Sequence, residues 1–519
     1  MNRQENIDHI ADRSIVWDVI VVGGGATGLG AAVDAASRGY RTLLLEQGDF
    51  AQGTSSRSTK LIHGGVRYLQ QGNLALVLES LHERGLLLAN APHLVRHLAF
   101  VVPIYEWWEG PFYGIGLKLY DALAGKLGLG PSRRLSRKKT LEKIPTLEPD
   151  GLRGGVVYYD GQFDDARLAI SLLRTLEDLG GNAVNYMPVT GFLKTGGLLC
   201  GAMTRDEETG RVFEISGRAV INAAGIFIDS VCRMDDSTAR PMMAPSQGVH
   251  IVLDKGFLPG SSAIMVPHTD DGRLLFAVPW HDRVIIGTTD TPVAGPQVEP
   301  QPFPEEVEFL LSHAGRYLTG HPSRADVKSV FAGIRPLINS RGHNVTASLS
   351  RDHRVLVSAS GLVTVAGGKW TTYRKMGEDA VTMAARVGGL DLKKSCTDTL
   401  ELHGRPGQAI HDQAFSIYGT DADAMRQLIK KDPELDFLLH PQLPYRRVEI
   451  VWAVRNEMAR TVTDVLARRL RALILDAKIS IRVAPIVASI MAKELVKDLT
   501  WESDQVASFE KIAKRYMIN

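Results

Sequence analysis

The fold turns on residues 17–46, WDVIVVGGGATGLGAAVDAASRGYRTLLLE. The first six, Trp17 to Val22, form a short apolar run of the kind a buried parallel strand uses. Gly23, Gly25 and Gly28 follow at once and fit G-x-G-x-x-G. A helical pattern runs to Gly39, a candidate C-cap, and a second strand pattern closes on Glu46. Each part has a physical task. Gly23 permits a tight turn, Gly25 lets a pyrophosphate approach the backbone, and Gly28 lets the helix pack on the strand. The first helical N–H groups, those of Ala26 and Thr27 among them, meet the phosphates with the positive end of the helix dipole. Glu46 stands about 20 residues on, where an acid accepts hydrogen bonds from a ribose. A glycine fingerprint alone is a weak signal. Strand, glycines, helix, strand and terminal acid in order predict dinucleotide binding, and Glu46 disfavours a 2′-phosphate.

Working outward, residues 47–69 are rich in small hydroxyl side chains, followed by the adjacent glycines Gly64 and Gly65. Such a loop offers many N–H and O–H donors to phosphates and ring edges, but ordinary loops share that composition. The order of residues says more. GTSSRSTKLIHGGVRYL (53–69) closely resembles a signature of the FAD-dependent glycerol-3-phosphate dehydrogenases, which are D-amino-acid-oxidase-like flavoproteins. The likeness continues in DDARL (164–168), VINAAG (220–225), GVHIV (248–252), IGTTDT (286–291), GIRPL (333–337), SRDH (350–353) and GGKWTTYRK (367–375). GGKWT is not a nucleotide P-loop, because Val363 and Trp370 stand where glycine and Ser/Thr are required.

The resemblance implies an α/β fold: a Rossmann-type FAD-binding domain, an antiparallel β substrate domain and a helical C-terminal cap domain. We place the first at 15–100, 155–250 and 345–395, an inserted segment at 101–154, the substrate domain at 251–344 and the helical domain at 400–519. Strand patterns at 219–223, 250–254, 263–267, 274–280, 284–289, 354–358 and 362–366 support the sheets. In the last domain the spacing predicts one helical pattern over 447–474, with Val448, Val451, Val454 and Met458 on a shared face.

The same resemblance implies the chemistry: oxidation of sn-glycerol 3-phosphate to dihydroxyacetone phosphate, with hydride passing from C2 to N5 of FAD and electrons going on to a membrane quinone. It implies FAD contacts from Gly23, Gly25, Ala26, Thr27, Gly28, Glu46, Thr54, Ser55, Ser56, Lys60, Leu61, His63, Gly64, Gly65, Ala224, Gly225, Gly368, Lys369, Trp370 and Thr371. It points to Arg67, Tyr68, Arg335, Arg351 and Lys369 around the substrate, where guanidinium and ammonium groups suit a dianionic phosphate. Arg335, His63 and Lys369 are the catalytic candidates. Arg335 sits where the family places its proposed proton acceptor, although a guanidinium is normally always charged. His63 is the better base by intrinsic pKa. An oxygen-using oxidase, or an amine or hydroxy-acid flavin enzyme, is the alternative.

The balance of 60 Lys and Arg against 58 Asp and Glu argues against a nucleic-acid partner, which needs a basic face. The RRLSRKK segment (133–139) keeps a local basic patch in view. Aromatics at 104–121 beside those cations suit a lipid surface, and with the family resemblance they suggest a cytoplasmic protein peripheral on the inner face of the cell membrane. No apolar h-region opens the chain and no run of about 18 apolar residues interrupts it, so neither a secretory signal nor a membrane span is expected. Three cysteines without a CxxC suggest a reducing compartment and no metal site, and His93 and His97 lack the intervening acid of a zinc helix. A homodimer is left open.

Overall fold

The computed structural model describes residues 1–70, 72–267, 269–270, 272–339, 352–407 and 414–518. Among these residues the first sheet has eight strands, in the order His353–Val357, Val363–Gly367, Val212–Asn222, Trp17–Val22, Thr42–Leu45 and Asn182–Val184, with the hairpin Val189–Thr195/Leu198–Arg205 attached to Val212–Asn222. Pairing from Val363–Gly367 through Asn182–Val184 is parallel. Both faces are covered. Val19, Val21 and Leu44 enter a core with the helices Ala26–Ser37, Asp165–Asp178 and Tyr373–Val387. Ile20, Val22, Leu43 and Leu45 enter another with Ile7 and Ile10 of the helix Arg3–Ala11. That is why these strands read as unbroken apolar runs rather than alternating ones. The helices Ala26–Ser37 and Tyr373–Val387 cross backbone to backbone, since a Cβ on Gly377 would lie 2.6 Å from the Gly30 carbonyl.

The second sheet has ten strands among the described residues. Its order is Thr291–Pro292, Ser246–Asp254, Arg283–Gly287, Leu275–Trp280, Ala263–Val266, Val95–Ile104, Gly154–Phe163 and Leu61–Ile62, with Ser329–Arg335 on Ser246–Asp254 and Arg133–Ser136 on Gly154–Phe163. Only Ala263–Val266 against Val95–Ile104 is parallel among its described pairings. The division read from the sequence departs from this. Val95–Ile104 and Gly154–Phe163 belong to the second sheet, so the chain changes sheets inside the segments assigned to the nucleotide domain. Composition carries no mark of that crossing, because strands of both sheets are apolar on their buried faces.

The C-terminal region is helical, but 447–474 is not one helix. Arg447–Asn456 ends at Glu457, Met458 turns at φ 52°, and a π-helical turn Asp464–Arg469 precedes Arg471 at φ 65° and the short helix Ala472–Leu475. Val448 and Val451 are buried as expected, whereas Met458 lies beyond the helix end. Buried arginines here must reach carboxylates, a demand apolar spacing does not record. His93 likewise lies in a turn and His97 in a strand, so their helical spacing is not realised.

His403 joins the C-terminal region to the nucleotide domain. Its Nδ1 lies 2.6 Å from Asp178 and its Nε2 3.0 Å from Asp421. Burial opposes its charge, but the two carboxylates win and hold its pKa up to about 9, against 6.5 ordinarily. A raised pKa in the folded state stabilises fully below the unfolded value and is lost as pH rises through the folded one. The stability gap between the wild type and His403→Gln is therefore expected to be largest below pH 6.5 and to vanish near pH 9. Urea midpoints across that range check it; a gap that grows with pH refutes it.

Candidate active site

Gly23 turns at φ 109° with the Ala223 carbonyl 2.7 Å from where its Cβ would be. A Cβ on Gly28 would lie 1.8 Å from the Gly23 carbonyl, so Gly28 serves helix–strand packing. Gly25 begins the helix without a side-chain cap, while Ala26 N–H donates to Ser55 Oγ at 2.9 Å. At the end of the second strand Glu46 accepts from the N–H groups of Gly24 at 2.6 Å and Gly48 at 2.9 Å. Burial raises its pKa despite those bonds.

The turn Thr54–Ser56 is pinned from several sides. Thr54 Oγ1 donates to the Ile334 carbonyl at 2.5 Å, and Trp370 Nε1 to the Ser55 carbonyl at 2.8 Å. Further along, the His63 backbone N–H donates to the Thr371 hydroxyl, which in turn donates to the His63 carbonyl. Gly65, at φ 79°, leaves room for the Tyr68 ring, which would otherwise sit 2.1 Å from a Cβ. Lys369 donates to Ser80 Oγ and sets its ammonium 4.6 Å from the Tyr68 ring centroid.

The second sheet supplies the facing wall. Arg335, the last residue of its strand, donates to the carbonyls of Gln247 at 3.2 Å and Thr289 at 2.7 Å, to Thr288 Oγ1 at 3.0 Å and to Asp290 at 3.1 Å. Gly248 makes the room, since its Cβ would lie 2.3 Å from the guanidinium.

These elements enclose one cavity of about 460 Å³. Gly23, Gly25, Ala26, Thr27, Glu46, Thr54, Ser55, Leu61, His63 and Gly65 line it from the first side. Ala224, Gly225, Gly368, Lys369, Trp370 and Thr371 line it from the returning segments, with Tyr68 and Arg335 completing the walls. A dinucleotide fits this donor set: a helix N-terminus whose N-cap glycine offers no side chain, a glycine cradle and an acid at the ribose position.

Four residues expected at the cofactor stand elsewhere. Lys60 is fully buried, 2.7 Å from Asp165, and burial brings its pKa down to about 8. The Ser56 carbonyl accepts from Lys60 Nζ. Gly64 N–H donates to the Tyr120 hydroxyl and to Asp160, and Gly28 faces the strand. Arg67 lies on the short helix Val66–Gln70, and Arg351 lies outside the described residues.

Sequence reasoning missed His250, Arg273 and Asp160, all of which line the cavity. The His250 ring stacks on Phe331 at 4.7 Å, its Nε2 lies 2.9 Å from Thr59 Oγ1, and burial holds its pKa well below 6.5. A histidine within the apolar strand HIVL was the available signal. Asp160 accepts from Arg84 and Tyr120 beneath the Gly64 turn, and burial raises its carboxyl.

Comparison with known proteins agrees with this architecture. Residues 18–374 match the family model of FAD dependent oxidoreductases, and residues 380–505 match the C-terminal domain of alpha-glycerophosphate oxidase. The mitochondrial glycerol-3-phosphate dehydrogenase of Homo sapiens is 39% identical over 530 residues, covering 95% of this chain and 73% of the relative. The probable mitochondrial enzyme of Caenorhabditis elegans is 41% identical over 530 residues, covering 95% and 72%. The FAD-complexed glycerol-3-phosphate dehydrogenase of Bacillus halodurans superposes with TM-score 0.78 at 29% identity, covering 99% of this chain and 97% of that one. The chain belongs to the FAD-dependent oxidoreductases, in the family of the glycerol-3-phosphate dehydrogenases.

Proposed function

We propose that the chain oxidises sn-glycerol 3-phosphate to dihydroxyacetone phosphate and passes the electrons to a membrane quinone. The observation that carries this reading is the shared cavity, in which the dinucleotide turn and Glu46 meet Arg335, Lys369, Tyr68 and His63. The flavin, when bound, supplies the acceptor for the hydrogen and electron pair leaving C2. Lys369 offers a cation to the phosphate, and the Tyr68 hydroxyl a donor; Arg67 and Arg351 are proposed beside them. His63 takes the proton from the C2 hydroxyl. A guanidinium stays charged in a protein, and Arg335 is held in place by Asp290 and the Thr289 carbonyl, so Arg335 orients the hydroxyl and stabilises developing negative charge rather than removing a proton.

Anaerobic addition of sn-glycerol 3-phosphate to the FAD-loaded protein is expected to bleach the visible flavin band and yield dihydroxyacetone phosphate. A band that ignores this substrate but responds to amines or hydroxy acids overturns the assignment. Reoxidation by a soluble quinone faster than by air separates the dehydrogenase from the oxidase.

The quinone reading needs a lipid surface. No helix of the described residues is long and apolar enough to cross a membrane. The helix Glu109–Ala124 buries Tyr113, Leu117 and Tyr120 yet exposes Phe112, Ile115 and Leu119 on its other side, beside Trp107 and Trp108. The exposed Arg133, Arg134, Arg137, Lys138 and Lys139 follow in the chain, and Arg134 reaches to Gly110 at the start of that helix. Apolar side chains flanked by cations suit anionic lipid, with about 1 kcal/mol per cation near the surface. Exchanging the five cations for glutamine is expected to abolish sedimentation with anionic vesicles; undiminished binding removes this surface from the reading.

A further inference from the structure

The loop from Gln47 to Ser58 walls the cavity on one side and is met from behind by a run of arginines some 420 residues later in the chain. At its start Asp49, fully buried, accepts from Arg468 Nε and from both terminal nitrogens of Arg469 at 2.7 and 2.9 Å. At its far end the Ser56 carbonyl accepts from Arg471 at 2.6 Å and from Lys60 at 2.9 Å. Arg471 and Lys60 also share Asp165, which accepts as well from the Ser58 N–H and hydroxyl and from the Ala166 N–H. On its front the same turn holds Ala26 N–H through Ser55 Oγ.

Burying guanidinium groups costs desolvation that an apolar core would avoid, so stability alone is a poor reason for this arrangement. What it secures is geometry. Both carbonyl lone pairs of Ser56 are directed by cations, and Arg471 adopts φ 65° in doing so. Ser55, the next residue back, sets its hydroxyl against the helix N-terminus.

We propose that Arg471 is a positioning residue for the cofactor: the C-terminal domain holds the Thr54–Ser56 turn in its FAD-binding form without touching FAD. The inference rests on the reading that FAD occupies the cavity this loop walls.

The test measures FAD affinity of the stripped full-length protein by flavin fluorescence, together with urea unfolding of the same FAD-free protein. Arg471→Met is expected to weaken FAD binding about tenfold, with Arg471→Lys recovering most of it and kcat at saturating FAD within threefold of wild type. Gly25→Val, which fills the pyrophosphate cradle, is the direct control. If Gly25→Val weakens binding and Arg471→Met does not, the inference falls and the cofactor site stands. If neither weakens binding, the site reading falls and takes the inference with it. Lowered FAD-free stability with unchanged affinity also overturns it. Should Arg471→Met fail to fold, hydrogen exchange on the wild type decides. Coupling is reciprocal, so FAD must slow exchange over residues 464–476 as well as over the loop. Protection of the loop alone refutes the inference.

Discussion

Replacing Arg335 with lysine is expected to lower kcat/KM for glycerol 3-phosphate by about 10²–10³-fold while FAD stays bound. The guanidinium is held by four acceptors drawn from two segments, Gln247 on one strand and Thr288 to Asp290 after another. Only a planar fork can satisfy such a set and keep its charge fixed at the cavity wall; lysine offers a mobile point charge. The loss corresponds to about 2.7–4 kcal/mol, the usual effect of removing one donor aimed at developing negative charge. It should fall mainly on kcat, because the interaction strengthens as the C2 hydroxyl loses its proton. Steady-state kinetics with a soluble acceptor, read beside the flavin spectrum, gives the answer. Turnover within threefold of wild type ends any catalytic role for Arg335.

Asp49→Ala is expected to destabilise the folded chain by about 3–5 kcal/mol, the cost of breaking a buried pair from one side. The substitution leaves Arg468 and Arg469, both buried, without their shared carboxylate, although Asp464 still receives one bond and the Glu457 carbonyl two. The two guanidinium groups bring the Asp49 carboxyl down to about 2, from 3.8 ordinarily. Its contribution is therefore present above about pH 4 and lost as pH falls through 2. Asp49→Asn keeps an acceptor and should cost less. Urea denaturation at pH 7 orders the three proteins; equal midpoints for wild type and Asp49→Ala refute the argument.

Local patterns carried the fold a long way. The turn at Gly23 to Gly28 is read from spacing because its physics is local: a backbone conformation, a close approach and a helix end lie within a dozen residues. The apolar runs at 19–22, 42–45 and 363–366 announce buried strands for the same reason. Sheet membership was less legible. Val95–Ile104 joins the second sheet through Gly154–Phe163 on one edge and Ala263–Val266 on the other, pairings that no local pattern encodes. Lys60 shows the limit for side chains. It stands amid residues that line the cavity, yet Asp165 draws its ammonium the opposite way. The C-terminal arginines are the converse case, since the helical pattern over 447–474 gives no sign that Arg468, Arg469 and Arg471 are buried until Asp49 and Asp165 are placed against them.

The strand order of the parallel sheet sets a timetable for synthesis. Trp17–Val22 is central, and one of its neighbours, Val212–Asn222, pairs Trp17 with Gly217. At about 5–20 residues per second, that flank of the first strand waits roughly 10–40 s for its partner to leave the ribosome. Val363–Gly367, which closes the next position, arrives later still. Throughout that interval an unpaired edge, apolar but for Asp18, is open to neighbouring chains. Strand order thus makes the interval before Val212–Asn222 appears the one in which this chain is most exposed to pairing with another copy of itself.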